Sequence, residues 1–254
     1  MDDMKQTESV PAEQALTRVN TSPPESDAQE PVSKPPPFAR GLNFYQLFWI
    51  FFIGCFLGVV IETIWCLLTR HHFESRKGLI YGPFNLVYGF GALAMTLGLH
   101  WLSKKRDFYV FLGGFVIGSV FEYLCSWMQE AVFGTVSWEY GKMPFNINGR
   151  INLLYSIFWG LLALFWVKGI YPMMCRWISK IPNKIGKPLT WVLLVFMIVN
   201  SAVSGLAVYR MSERREGLAP SNALEEHLDD WYPDEMLHKV YPNMMIKPEK
   251  PEQK

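Results

Sequence analysis

Polar and apolar positions are unevenly distributed along this chain. Apolar runs collect between Phe44 and Tyr209, broken by short polar stretches, while both ends carry acids and prolines. At least four windows approach the ~20 apolar residues that a ~30 Å hydrocarbon core requires. The pattern predicts an all-α, polytopic membrane helix bundle of about five transmembrane helices. The spans fall near Phe44–Leu68, Pro83–Leu102, Phe108–Val132, Ile151–Val167 and Leu189–Tyr209, the fourth continuing towards the bend at Pro172. Gly82-Pro83 reads as the start of the second, because proline at the first helical position loses no needed N–H bond. Gly89, Gly91, Gly98, Gly113, Gly114 and Gly118 offer small surfaces on which neighbouring helices approach closely.

Residues 1–40 read as a disordered, Pro-rich tail, with too few large apolar side chains to offset ordering entropy. Residues 41–209 form the transmembrane domain. In the C-terminal tail, 210–254, the helical spacing of Leu224, Leu228 and Trp231 and the acids after Pro233 predict short amphipathic helices. So short a helix needs a surface, either the bilayer interface or the protein's own loops.

Within the apolar runs one phrase occurs twice. Gly58-Val59-Val60-Ile61-Glu62 returns as Gly118-Ser119-Val120-Phe121-Glu122, and Asn85-Leu86-Val87-Tyr88 returns as Asn152-Leu153-Leu154-Tyr155. The chain therefore reads as a parallel repeat of a two-helix unit, each copy with an acid in its first helix. Each acid is predicted about 12 Å below its helix end. Asn85 and Asn152 should return to the same membrane side at comparable depth. Carboxylates in membrane spans are costly and tend to face interiors or hydrated cavities. Glu62 and Glu122 are thus candidates to line a polar pathway for a cation, a proton or a cationic group. The alternative is structural: each acid satisfied by Asn85, Asn152 or tyrosine hydroxyls, or paired with Arg150. Arg76 and Arg150 could neutralise the acids or attract an anion, or simply anchor the loops at the interface.

Composition adds exclusions. The chain is 50% hydrophobic with a formal net charge of +1 and no basic stripe, so nucleic acid is not an expected partner. The four cysteines lie in or beside apolar runs without metal-ligand spacing. There is no phosphate-binding loop, no His-Glu-x-x-His and no Gly-x-Ser-x-Gly, so neither a cofactor nor a catalytic residue is expected. Orientation rests on lysines and arginines. With the loops after the second and fourth spans taken to share a face with the C-terminal tail, the positive-inside rule leans towards a cytoplasmic C-terminus and an external N-terminus.

Arg76-Lys77-Gly78-Leu79-Ile80-Tyr81-Gly82-Pro83-Phe84-Asn85, followed by Tyr88-Gly89-Phe90-Gly91-Ala92, resembles the signature of a bacterial membrane family. That family is the CmpB-like group named as ABC-transporter type IV permeases, formerly a domain of unknown function. Phe121-Glu122-Tyr123, Pro144–Ile151 and the tail blocks Tyr232–Glu235 and Tyr241–Met244 extend the resemblance across roughly Phe44 to Met245. The family pattern more often has a small or sulfur-bearing residue at the position of Asn85, which weakens a functional role there. The resemblance implies a multi-pass protein of the bacterial inner membrane, working with a separate ATP-binding subunit. It brings no substrate and no catalytic residues. Besides the lipid bilayer and that subunit, a homo-oligomer is a further expected partner. The alternative to a permease is a non-transporting membrane adaptor or envelope-organising scaffold.

Overall fold

The structure is a computed structural model that describes residues 36–246. Of the Pro-rich tail expected over residues 1–40, residues 1–35 lie outside the described residues, as do those after 246. The fold is mostly helical: α1 (Phe44–Arg70), α2 (Leu86–Gly98), α3 (Asp107–Phe133), α4 (Leu153–Phe165), α5 (Tyr171–Ser179), α6 (Asn183–Arg215), α7 (Ala223–Trp231) and α8 (Asp234–Val240). A π-helical turn, Trp166–Ile170, joins α4 to α5 into one apolar crossing, Leu153–Ser179. Four crossings are long and apolar enough to span a membrane, namely α1, α3, the α4–α5 rod and α6. The fifth expected span is shorter than its apolar run suggests. α2 has 13 residues, about 20 Å of helix.

The reason lies in how α2 begins. Pro83 does not open the helix. Asn85 caps it, its Oδ1 accepting from the Val87 N–H at 3.0 Å while its Nδ2 donates to the Arg76 carbonyl. The Asn85 backbone N–H donates to the carbonyl of Cys55, in the middle of α1. Cys55 lies fifteen residues before Arg70, so loop 71–85 descends roughly 22 Å below the end of α1 before the chain turns back. α2 is therefore a half-length helix that starts at mid-bundle.

α1 packs on α2 and α3 on α4 through small residues. A Cβ at Gly58 would overlap the Tyr88 ring, and one at Gly118 would overlap the Trp159 ring. Gly54 faces Ala92 and Gly114 faces Ala163. Lipid supplies no hydrophobic drive between helices, so such close contact carries association. Indole hydrogen bonds add to it: Trp49 to Thr190 on α6 and Trp166 to Thr96 on α2.

The N-terminal boundary differs from expectation. Phe38 and Ala39 are buried, Phe38 against Gly186, and the Phe38 N–H donates to Asn183 Oδ1. An apolar pair able to cover the start of α6 orders residues that look like tail. Thus the first described residues, the loop 99–106 and the turn 180–182 share one end of the bundle. Loops 71–85 and 134–152 and the C-terminal tail share the other. The expectation that loops 99–106 and 180–182 lie on the tail's face is corrected: α6 carries the chain back across before the tail begins.

The tail docks on the protein itself. Leu228, Tyr232, Leu237 and Tyr241 pack against Ala207, Val208, Met211 and Ile80. Leu224 and Trp231, expected on the packing face, are exposed. β4 (Met245–Ile246) pairs antiparallel with β1 (Thr135–Val136), just after α3. A second small ribbon joins β2 (Asn146–Ile147) to β3 (Ile151–Asn152). Arg210, 1% exposed, donates to both oxygens of Asp229 at 2.9 Å and to Glu213. Arg214 joins Asp229 and Asp234.

Two predictions follow from this packing. Gly114→Leu should cost about 1–3 kcal/mol by overpacking against Ala163, whereas Gly169→Ala, where a methyl meets nothing within 4 Å, should be neutral or stabilising; thermal unfolding in detergent compares them. Hydrogen bonding from Arg210, with Arg214 adding and partial burial opposing, holds the Asp229 carboxyl below its usual value of 3.8. A depressed folded value makes this contribution fully present above pH 3.8 and lost as the pH falls through the lowered value. Proteolysis of the tail should be unchanged from neutral pH down to about pH 3.8 and rise progressively below it; release already at pH 6 would contradict the latch.

Candidate functional site

Two loops meet the membrane at the tail's end of the bundle, and both carry polar groups to the helices. Loop 71–85 is irregular backbone at mid-bundle depth, where each N–H and C=O needs a partner because lipid provides none. The Gly78 and Leu79 N–H groups donate to the Phe84 carbonyl. The Ile80 N–H donates to Ser204 Oγ at 2.9 Å. Asn200 holds Tyr81 at both ends, accepting from its N–H at 3.2 Å and donating to its carbonyl at 2.8 Å. Asn200 and Ser204 are both buried on α6. From outside, the Tyr81 and Tyr232 hydroxyls share a hydrogen bond of 2.7 Å and Ser75 Oγ donates to the Val240 carbonyl. The tail thus lies against the outer part of this loop.

Glu122 is buried, at 8% exposure. Its Oε1 accepts from the Tyr140 hydroxyl at 2.8 Å and its Oε2 from Trp159 Nε1 at 2.9 Å. Neither donor is charged. Tyr140 stacks on Tyr155 with centroids 4.7 Å apart. Burial, then the Glu122 charge, pushes the Tyr140 phenol well above its ordinary value, and the Glu62 charge acts in the same direction. Tyr140 therefore remains a protonated donor within electrostatic reach of both acids.

Glu62 lies in a different setting. Its side chain is 34% exposed and faces Arg76, with Nε 3.5 Å from Oε1. Arg76 also meets Glu74 at 3.1 Å and donates to Cys66 Sγ, one turn beyond Glu62. Arg150 repeats part of this arrangement. It donates to Ser126 Oγ, one turn beyond Glu122, and lies over the Tyr123 ring. Its ion pair is with Glu130, however, not with Glu122. Arg76, Val59, Val60, Thr63, Ile64 and Phe73 line a shallow cleft of about 240 Å³ between α1 and loop 71–85.

Of the six residues singled out from sequence, Glu62 and Arg76 come together directly. Glu122 and Arg150 have separate partners: Arg150, in the loop after α3, reaches Ser126 and Glu130 on the turns beyond Glu122. Asn85 and Asn152 are helix caps: each Oδ1 accepts from the N–H two residues on, and each Nδ2 holds a preceding loop carbonyl, Arg76 or Pro144. Their amides are occupied by backbone, so they do not satisfy the acids. Nor do they lie at equal depth. Asn85 meets Cys55, seven residues before Glu62 and about 10 Å deeper, whereas Ser156, one turn into α4, meets Ser119 beside Glu122.

With this geometry in view, comparison with known families is informative. The model of the family described as "Putative ABC-transporter type IV" matches residues 49–205, which run from α1 into α6 and stop short of the tail. The chain belongs to that family. No curated protein and no solved structure matches it significantly. The matched stretch of this chain includes both acids, both capping asparagines, Tyr140, Trp159, Asn200 and Ser204, while the Arg210–Asp229 latch lies beyond it.

Sequence reasoning missed Tyr140, Trp159, Asn200 and Ser204. For the α6 pair a signal existed: two hydrogen-bonding side chains four residues apart on one face of an apolar span. Tyr140 carries none, since a loop tyrosine and an interfacial tyrosine look alike in sequence. Replacing Asn200 by Leu should leave the Tyr81 N–H and carbonyl unpaired, at about 1–3 kcal/mol for each group. Hydrogen exchange at Tyr81 in detergent should speed up accordingly; protection equal to that of the unaltered protein would show that Asn200 does not hold the loop.

Proposed function

We propose that the chain is a permease-like subunit of a transport system in the bacterial inner membrane, with Glu62 and Glu122 lining a polar pathway for a proton, a cation or a cationic group. One observation carries the reading: the broken crossing, in which loop 71–85 brings irregular backbone to the depth of Cys55 and α2 begins there. Non-helical backbone at membrane depth is tolerated where protein or a hydrated cavity surrounds it, and transporters form substrate sites at such half-helices. The recurrence of Gly-x-x-x-Glu, loop arginine and capping asparagine supports reading α1–α2 and α3–α4 as two copies of one unit. Glu122 fits the role of a binding group because its partners are neutral, so a cation can still be attracted. Glu62, beside the cleft and Arg76, fits that of an entrance group.

The family's name supports a separate ATP-binding subunit as partner, either alongside one copy of this chain or a homo-oligomer of it. No catalytic step is assigned to the chain itself. A second reading, a membrane adaptor, draws on the exposed outer face of α7, where His227 stacks on Trp231 beside Leu224.

The tagged chain, purified from native membranes in mild detergent, should bring down an ATPase subunit bearing a phosphate-binding loop. In proteoliposomes of that complex, Glu122→Gln should lower cation or proton flux about tenfold, the scale of one charged hydrogen-bonding group, with Glu62→Gln having a smaller effect. Flux that ignores both changes would eliminate the acid-lined pathway. A partner that is not an ATPase, and that leaves only when the tail from Arg210 is removed, would favour the adaptor.

A further inference from the structure

The two ends of the bundle differ in how their cations are used. At the end opposite the tail, Lys104, Lys105 and Arg106 in one loop and Lys180, Lys184 and Lys187 around the other turn are all exposed. None of these six makes an ion pair with a described residue. The acid at this end, Asp107, is engaged by Lys168. The tail's end is mixed: Lys77, Lys142, Arg215 and Lys239 make no ion pair with a described residue either, but four arginines there do. Arg76, Arg150, Arg210 and Arg214 are at least partly buried, and each is held by one or more carboxylates.

Three further features give the first end a membrane-surface character. α1, α3 and α6 all begin there, so the positive ends of three long helices add to the lysines. Trp101, Phe108, Tyr109 and Trp177 are exposed at the same level, the position of an aromatic belt. Loops 99–106 and 180–182 hold Lys104, Lys105, Arg106 and Lys180, as many cations as loops 71–85 and 134–152 (Arg76, Lys77, Lys142 and Arg150), and Lys184 and Lys187 in the first turns of α6 add to this face. Cations at headgroup level that make no ion pair with a described residue complement a negatively charged surface.

We infer that this face, built from loop 99–106 and the 180–187 turn, seats on anionic phospholipid headgroups of the cytoplasmic leaflet. Residues 36–43 then lie on the cytoplasmic side, and α7, α8 and the Arg210–Asp229 latch lie outside. The lysines of this face hold the orientation, because lysines and arginines flanking membrane spans are retained on the cytoplasmic side.

Two measurements on the full chain test this. Ser103→Cys and Glu235→Cys, each compared with the unaltered chain as background, are treated with a membrane-impermeant maleimide in spheroplasts and after lysis. Glu235→Cys should label in intact spheroplasts, and Ser103→Cys only after lysis; the reverse pattern overturns the orientation. In detergent, phosphatidylglycerol should raise the unfolding midpoint and phosphatidylcholine should not. The phosphatidylglycerol shift should shrink with added salt and be lost in the variant Lys104→Gln, Lys105→Gln, Arg106→Gln, Lys184→Gln, Lys187→Gln. It should persist in Lys142→Gln, Lys239→Gln, which alters the opposite face. Because the five side chains are exposed, the lipid-free midpoint of the first variant should match the parent. An equal response to both lipids, a shift that survives the five changes, or the same shift from inorganic phosphate alone would each overturn the headgroup site.

Discussion

Lipid offers no hydrogen bonds, and the architecture turns on how one irregular segment meets that constraint. Loop 71–85 carries open backbone to the depth of Cys55, and the groups that satisfy it come from elements far apart in sequence. Asn200 and Ser204 on α6 hold Tyr81 and Ile80, Phe84 closes the local turn, and Asn85 caps the helix that follows. α6 is therefore more than another crossing. Without its two polar side chains, several backbone groups would be stranded in an apolar interior. The tail completes the enclosure from outside through Tyr232, Val240 and the face formed by Leu228 and Leu237.

The two acids show how the same residue type in a recurring phrase takes different electrostatic roles. Glu62 opposes a guanidinium and is partly solvated, so its charge is compensated where it stands. Glu122 is packed among neutral donors that satisfy both oxygens without cancelling the charge. Tyr140 belongs to the second environment, its hydroxyl donating to Glu122 and its ring stacking on Tyr155. The difference follows from register. α2 starts deep, after a loop pinned to α1 and α6, whereas α4 starts level with its acid after a loop closed by its own short ribbon. Charge also differs between the ends of the bundle: the carboxylate-held arginines lie with the tail, and the six cations at the other end make no ion pair with a described residue.

Much of the fold was legible in the chain. Long apolar runs require crossings and the Gly-x-x-x-Glu phrase points to close helix contact, whereas the start of α2, expected at Gly82-Pro83, lies at the Asn85 cap. The Phe38-Ala39 segment was not legible, because two small apolar patches in a polar tail look like noise until Gly186 is seen to receive them. The face of α7 was misjudged for a similar reason: Leu224 and Trp231 share a helical spacing, but the surface offered by α6 meets Leu228 and Tyr232 instead. The side of the membrane shared by loops and tail depended on counting crossings, and a single helix decides it.

The sequence by itself determined that this chain crosses a membrane several times and carries two acids within its spans, because hydropathy and periodicity are local properties that need no partner. Only the tertiary structure decided that α2 is a half-helix reached through a descending loop, that Glu122 has neutral partners while Glu62 has a cation, and that the tail is latched by Arg210. Each of these depends on which distant side chain arrives at a given depth, and depth is set by helix packing and register rather than by the residues that occupy it.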